Sequence, residues 1–213
     1  VDEDQEAILN TVNKVLEAEA IISGLDNSSP LHARNPHNFL LTECDKNGVY
    51  MNATHYRTAY HSSVMDALLT VNGISSWGPW HELGHQHQQD SWLWSNLTEV
   101  TVNIYSLAVQ RSMGITPSRL VEYNNWKSVR DYLERPEKEK DFLKIVDDEG
   151  NWVKLGMFEQ LRLAYGDKYY QLLHKLAREE HPTVSDDQSK MRYFMLSSCK
   201  VTGSDLTDFF RKW

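Results

Sequence analysis

The chain has 213 residues, 40% hydrophobic and 11% aromatic, enough to bury a sizeable core in one large domain or two small ones. Its formal charge is −8, from 22 basic and 30 acidic residues, and no Lys/Arg run stands out, which argues against nucleic-acid binding. The longest apolar stretches fall far short of the ~18 residues a membrane span needs, so no membrane span is expected in this chain.

Helices dominate the pattern. Residues 4–22 carry apolar side chains at Ile8, Val12, Val15, Leu16 and Ile21, close to a helical period, and Gly24 can end that helix. Residues 25–60 hold Pro30, Pro36 and Gly48 and alternating pieces such as "GVYMNATHYR", which predict loops with one or two short strands. Ser62 or Ser63 can cap a helix to about Val71, and Gly73–Gly78 reads as a turn. Pro79 suits a first helical position, so "PWHELGHQHQQ" is predicted as one helix. Asn96 or Thr98 can cap "EVTVNIYSLAVQRSM", which stops at Gly114, and Thr116-Pro117 starts a short helix. Residues 124–139 read as a charged helix, and "VDDEGNWVKL" as a turn between two strands. Residues 155–165 and 167–180 are helical, separated by Gly166 and closed by His181-Pro182. Ser185 with Gln188 resembles a capping box for "DDQSKMRYFMLSSCK", and Gly203-Ser204 precedes a last helix, "DLTDFFRK". The fold class is therefore mainly α (α+β), a single domain over residues 1–213 with a small irregular or β portion in its first third.

Cys44 and Cys199 form no CxxC pair, so two free thiols are expected rather than structural zinc or a disulfide framework. The chain opens at Val1 and not at an initiator Met, and is expected to be a segment of a longer protein.

The chemistry concentrates in "HELGH", residues 81–85. His81 and His85 lie at i and i+4, which on a helix stacks both imidazoles on one face within reach of one ion. Neutral imidazole is a good zinc ligand. Glu82 lies about 100° around the helix, badly placed to bind the same ion but able to reach a water held by it and take its proton. Catalytic zinc usually has three protein ligands. His87, at i+2 from His85, points off the shared face, and Asp90 is poorly aimed. Glu99 opens the next helix among apolar neighbours, where a buried carboxylate needs a partner, and Asn103 one turn on could steady it. Gly84 costs about 1 kcal/mol in a helix relative to Ala, which suggests close approach of another segment. Trp77, Trp80, Trp92 and Trp94 suit the core, with room for stacking on a sugar.

"SWGPWHELGHQHQQ" followed by "EVTVNIYSLAVQ" resembles the enhancin-like zinc metallopeptidases, glutamate-zincins found in viral enhancins and bacterial mucin-degrading proteases. The matching positions are Trp77, Gly78, Trp80, His81, Glu82, Gly84, His85 and Gln88, then Glu99, Val100 and Asn103. "MNATHYRTAYHSS" and "SSCKVTGSDLTDFFRKW" resemble the segments that precede and follow this block. The resemblance implies a zincin-like fold, Zn2+ on His81, His85 and Glu99, and Glu82 as general base. It also implies secretion or surface display and substrates among mucins and other O-glycosylated proteins, with carbohydrate-binding or adhesion domains elsewhere in the full-length protein.

The developing oxyanion of amide hydrolysis needs a donor besides the metal, and Tyr56, Tyr60, His61 and Tyr105 are open alternatives. Two rival readings stand: a metal-free relative that holds glycans or partner proteins, and a zinc protease indifferent to glycans. Sequons occur at Asn27, Asn52 and Asn96. A glycan on Asn96 would crowd Glu99, which suits a bacterial source where such sequons go unused.

Overall fold

The computed structural model describes residues 4–35, 39–44, 49–145 and 148–213. Helix α1 (Gln5–Ile22) is capped by the Asp4 carboxylate, which accepts from the Glu6 N–H, and buries Val12, Val15, Ala18 and Ile22. The first third then forms a small sheet of three strands, one more than the most the sequence suggested: β1 (Leu40–Glu43), β2 (Met51–Thr54) and β3 (Arg57–Tyr60). Their order is β1-β3-β2, so β2 is an edge. It pairs antiparallel with β3 across a two-residue turn, while β1 runs parallel to β3. Pro36 and Gly48 lie outside the described residues.

The helix expected over residues 62–71 is broken. A 3-10 turn at Ser62–Val64 leads into α2 (Asp66–Leu69), and Thr70, in extended conformation, caps α3 (Val71–Ile74) through the Gly73 N–H. Threonine competes locally for backbone hydrogen bonds and so ends one turn and starts another.

Helix α4 (Trp77–Gly84) starts two residues before Pro79, which sits within the first turn where its missing N–H costs nothing. It also ends early. His85–His87 form a 3-10 turn and Gln88 is extended, so the single helix expected through Gln89 stops at the second histidine. Gly84 lies against α5 (Thr98–Ser112): a Cβ there would sit 3.0 Å from the Val102 carbonyl oxygen and 3.2 Å from Tyr105 Cβ. That close approach is what the helix-breaking residue permits. Neither Asn96 nor Thr98 caps α5 with a side-chain hydrogen bond; Leu97 is its N-cap. Asn96 instead takes a left-handed turn conformation.

Helix α5 is buried continuously from Val100 to Gln110 and packs against α1, α4 and α8 (Asp148–Tyr165). The strands expected within residues 146–155 are corrected from Asp148 onward, where the chain already belongs to α8; Val146 and Asp147 lie outside the described residues. Val153, Met157 and Leu161 recur every four residues and all are buried, a helical stripe. The remaining elements are α6 (Arg119–Glu122), α7 (Asn125–Leu133), α9 (Lys168–Glu180), α10 (Asp187–Thr202) and α11 (Thr207–Lys212). Helix α6 starts at Arg119, two residues past Pro117, and the expected helix over 124–139 ends at Leu133. The capping box of α10 uses Asp186 and Ser189, one residue later than expected. The main core joins Trp92, Trp94, Leu97, Ile104, Phe158 and Phe194, and Trp77 packs against both it and a smaller cluster around Trp80 and Leu83. Cys44 and Cys199 are free.

Candidate metal centre

Helices α4 and α5 cross so that His81, His85 and Glu99 converge. One ligand-type atom from each lies within 4.8 Å of the other two. His81 Nε2 is 2.9 Å from Glu99 Oε2, and His85 Nε2 is 4.0 Å from the same oxygen. The two imidazole rings stand edge to face with centroids 4.9 Å apart. Donors on a tetrahedral zinc, at about 2.1 Å from the ion, lie about 3.4 Å from one another, and the two observed separations bracket that value.

The other ring nitrogens are both committed. His81 Nδ1 is 2.9 Å from Asn103 Oδ1, which also accepts the Trp77 indole N–H at 3.0 Å. The Asn103 amide nitrogen donates to the Glu99 backbone carbonyl at 2.9 Å, which sets the amide's orientation. His85 Nδ1 is 2.8 Å from Gln88 Oε1, and Gln88 Nε2 donates to the Thr98 carbonyl and the Thr101 hydroxyl. With each Nδ1–H given to a side-chain carbonyl, both Nε2 atoms are left facing Glu99. Asn103 therefore meets His81 through its side-chain oxygen and Glu99 through that residue's backbone carbonyl.

Glu99 differs from expectation in exposure. Its helix is buried, but its side chain is 60% exposed because it sits on the first turn, at the mouth of the cleft. That cleft, about 920 Å³, is lined by β2, Glu82, His85, Gln86, Gln88, Asp90, Leu93, Thr98 and Glu99. The charges respond to this setting. Hydrogen bonding to His81 holds the Glu99 carboxyl below the usual carboxylate range. Burial works against a charge on His81, but its hydrogen bonds to Glu99 and Asn103 outweigh it and raise its pKa. Burial lowers that of His85. Burial pushes Glu82 up to about 7, with Glu99 adding and His81 opposing.

His87 lies outside this group. It is buried on the far side of the turn, its Nε2 3.5 Å from the Glu19 carboxylate of α1. Of the oxyanion candidates, none lines the cleft. Tyr56 is exposed in the β2–β3 turn. His61 Nδ1 is 2.8 Å from the Ser63 hydroxyl. Tyr60 is fully buried, and Tyr105 is buried with its hydroxyl at His87 O and His174 Nε2. Trp80, Trp92 and Trp94 are core residues, which removes them from any sugar-stacking role; Trp77 is half-buried.

Residues 1–213 match the peptidase M60 family, enhancin and enhancin-like. The chain belongs to this family. Its fold is that of a functionally unknown conserved protein from Bacillus anthracis, 38% identical, TM-score 0.88, covering 100% of this chain and 44% of that one. A metallopeptidase solved in complex with Tn antigen is 25% identical, TM-score 0.78, over 100% of this chain and 40% of that one. A TRPM8 channel-associated factor homolog from Xenopus laevis is 24% identical over 99% of this chain and 23% of the relative. The chain thus spans less than half the length of each. As an enhancin-like domain it is of the metallopeptidase type, with a His/His/Glu group fit for a metal ion. No helix among the described residues is long and apolar enough to cross a membrane.

Two features of this enhancin-like site escaped sequence reasoning. Gln88 appears there only as a matching position, although an amide three residues past a candidate ligand is a signal for a supporting hydrogen bond. The β2 edge along the cleft left no such signal.

Proposed function

We propose that this domain is a zinc-dependent endopeptidase that cuts mucin-type O-glycosylated proteins outside the cell. The observation that carries this reading is the meeting of two imidazole Nε2 atoms and one carboxylate beside an open cleft that Glu82 also lines. His81, His85 and Glu99 would hold the zinc, which supplies a water of lowered pKa and polarises a carbonyl.

Glu82 then acts as general base and acid. Its carboxylate, at the cleft wall beside the metal group, can take a proton from water and pass it to the leaving nitrogen. The β2 edge orients the peptide. His61 N–H donates to the Tyr50 carbonyl and Asn52 pairs with Ala59, so the alternation turns the backbone groups of Met51 and Ala53 outward. An extended substrate can add to that edge, beside the metal group.

The glycan preference rests on the family and on the solved metallopeptidase that holds Tn antigen. Secretion or surface display suits such substrates. A second reading, a module that binds proteins without cutting them, draws on the curated relatives named as channel-associated factors. Glu82→Gln separates the two. The unaltered domain should hold about one zinc per chain and cut a peptide bearing an O-linked GalNAc faster than its bare counterpart. Glu82→Gln should keep the zinc and lose about 10²–10⁴-fold in turnover. Equal cleavage of both peptides would remove the glycan requirement, and zinc binding without any cleavage would favour the binding module.

A further inference from the structure

The hydrogen bond that aims His81 has a support of its own. Asn103 Oδ1 accepts two N–H groups, from His81 and from Trp77, which fills its acceptor capacity. The oxygen that faces His81 is thus held from two sides, by the amide's own bond to the Glu99 carbonyl and by the Trp77 indole N–H. That indole is boxed in. Trp80 and Trp152 lie beside it, ring centroids 6.2 and 5.8 Å away, and the Arg119 guanidinium caps it, its carbon 4.6 Å from the ring centre.

Arg119 is held for this task more than for charge pairing. Its guanidinium carbon is 4.7 Å from the Tyr123 ring centre and 5.3 Å from that of Trp152. Its Nε is buried and meets no acceptor among the described residues. Its backbone N–H donates to Gln110 Oε1 at 2.9 Å, on the same helix as Asn103 and two turns further on. A planar cation stacks on aromatic faces in a way that fixes both partners.

We propose that Arg119 is a positioning residue of the metal centre, clamping the Trp77 indole so that Trp77 and Asn103 together hold His81 with Nδ1 protonated and Nε2 aimed at the cleft. The inference rests on the reading of His81 as a metal ligand. If the indole swings free, the Asn103 amide keeps only its bond to the Glu99 carbonyl, and the acceptor that faces His81 Nδ1 is held less firmly.

The test uses the full chain and zinc affinity measured by competition with a chromophoric chelator. Arg119→Ala should weaken zinc binding about tenfold, in the range of lost supporting hydrogen bonds to metal ligands. Arg119→Lys keeps a cation over the rings and should recover part of that loss. Trp77→Phe removes the N–H, so in the double variant Arg119→Ala should add nothing. In metal-free protein, the Trp77 indole N–H should exchange with solvent faster in Arg119→Ala, read by NMR. Multiplying losses in the double variant, or wild-type affinity and indole exchange in Arg119→Ala, would overturn the proposal. If the unaltered protein binds no zinc, the proposed function fails, and the indole exchange still decides whether Arg119 clamps Trp77.

Discussion

Glu99 and His87 show how much one side chain's direction decides. Both are near His85 in sequence, and both are of metal-ligating type. Glu99 is at the cleft mouth with its carboxylate between two imidazoles. His87 is turned into the interior against Glu19. Glu99→Ala should therefore weaken zinc binding by about 100-fold or more, beyond what a supporting residue costs. His87→Ala empties a buried position and should cost about 2 kcal/mol of stability, yet leave zinc affinity within a few-fold. Zinc titration well below each variant's melting temperature checks both; the reverse ranking would make His87 the ligand. The convergence of His81, His85 and Glu99 was legible in the sequence from i, i+4 spacing and the start of the next helix. The openness of Glu99 was not, because burial of a helix says little about its first turn.

At the scale of elements, α4 and α5 form the working pair. Their contact depends on Gly84, where an added Cβ meets the Val102 carbonyl and Tyr105 Cβ. Neither can rotate aside, as one is backbone and the other the root of a side chain. Ala would favour the helix by about 1 kcal/mol, but overpacking costs about 1–3 kcal/mol. Gly84→Ala should lower the melting temperature and loosen zinc binding, since His85 is the next residue. Gly78→Ala should be milder: its Cβ would meet the Met51 sulfur at 2.7 Å, on a flexible side chain that can move. A Gly84→Ala variant with a raised melting temperature would show that the helices have slack. The helix period made α1, α5, α9 and α10 legible. The start of α8 was misread because Gly150 and its acidic neighbours look like a turn, while the stripe that makes it helical lies further on.

For the whole molecule, the buried titratable groups set the pH window. Burial drops the pKa of His174 to about 3 and that of His87 to about 4. His174 is held neutral between the Tyr170 carbonyl and the Tyr105 hydroxyl. Their folded values lie below the unfolded one, so the unfolded chain binds protons first. Stability is full above about pH 6.5 and falls as pH drops towards 4, by up to about 1.4 kcal/mol per unit for each group. Glu19 acts in the opposite direction. Burial raises its pKa well above the ordinary value, so its contribution is full below about 4.5 and is lost as pH rises. Glu19→Gln should thus stabilise the protein more at pH 8 than at pH 5. Thermal melts across that range check this, and a gain independent of pH would mean that Glu19 does not titrate on folding.

The sequence by itself determined the helical class, the stacked histidines, the displaced carboxylate and the acidic third member of the group, because these are consequences of 3.6-residue periodicity and of short separations along the chain. Only the tertiary structure decided what each ring's second nitrogen meets, Asn103 for one histidine and Gln88 for the other. It likewise decided that Trp80, Trp92 and Trp94 are core, that β2 borders the cleft, and that Arg119 covers Trp77. The reason is physical. Periodicity is local, whereas these contacts arise from how α4, α5, α6 and the sheet pack, and packing is settled by the whole molecule at once.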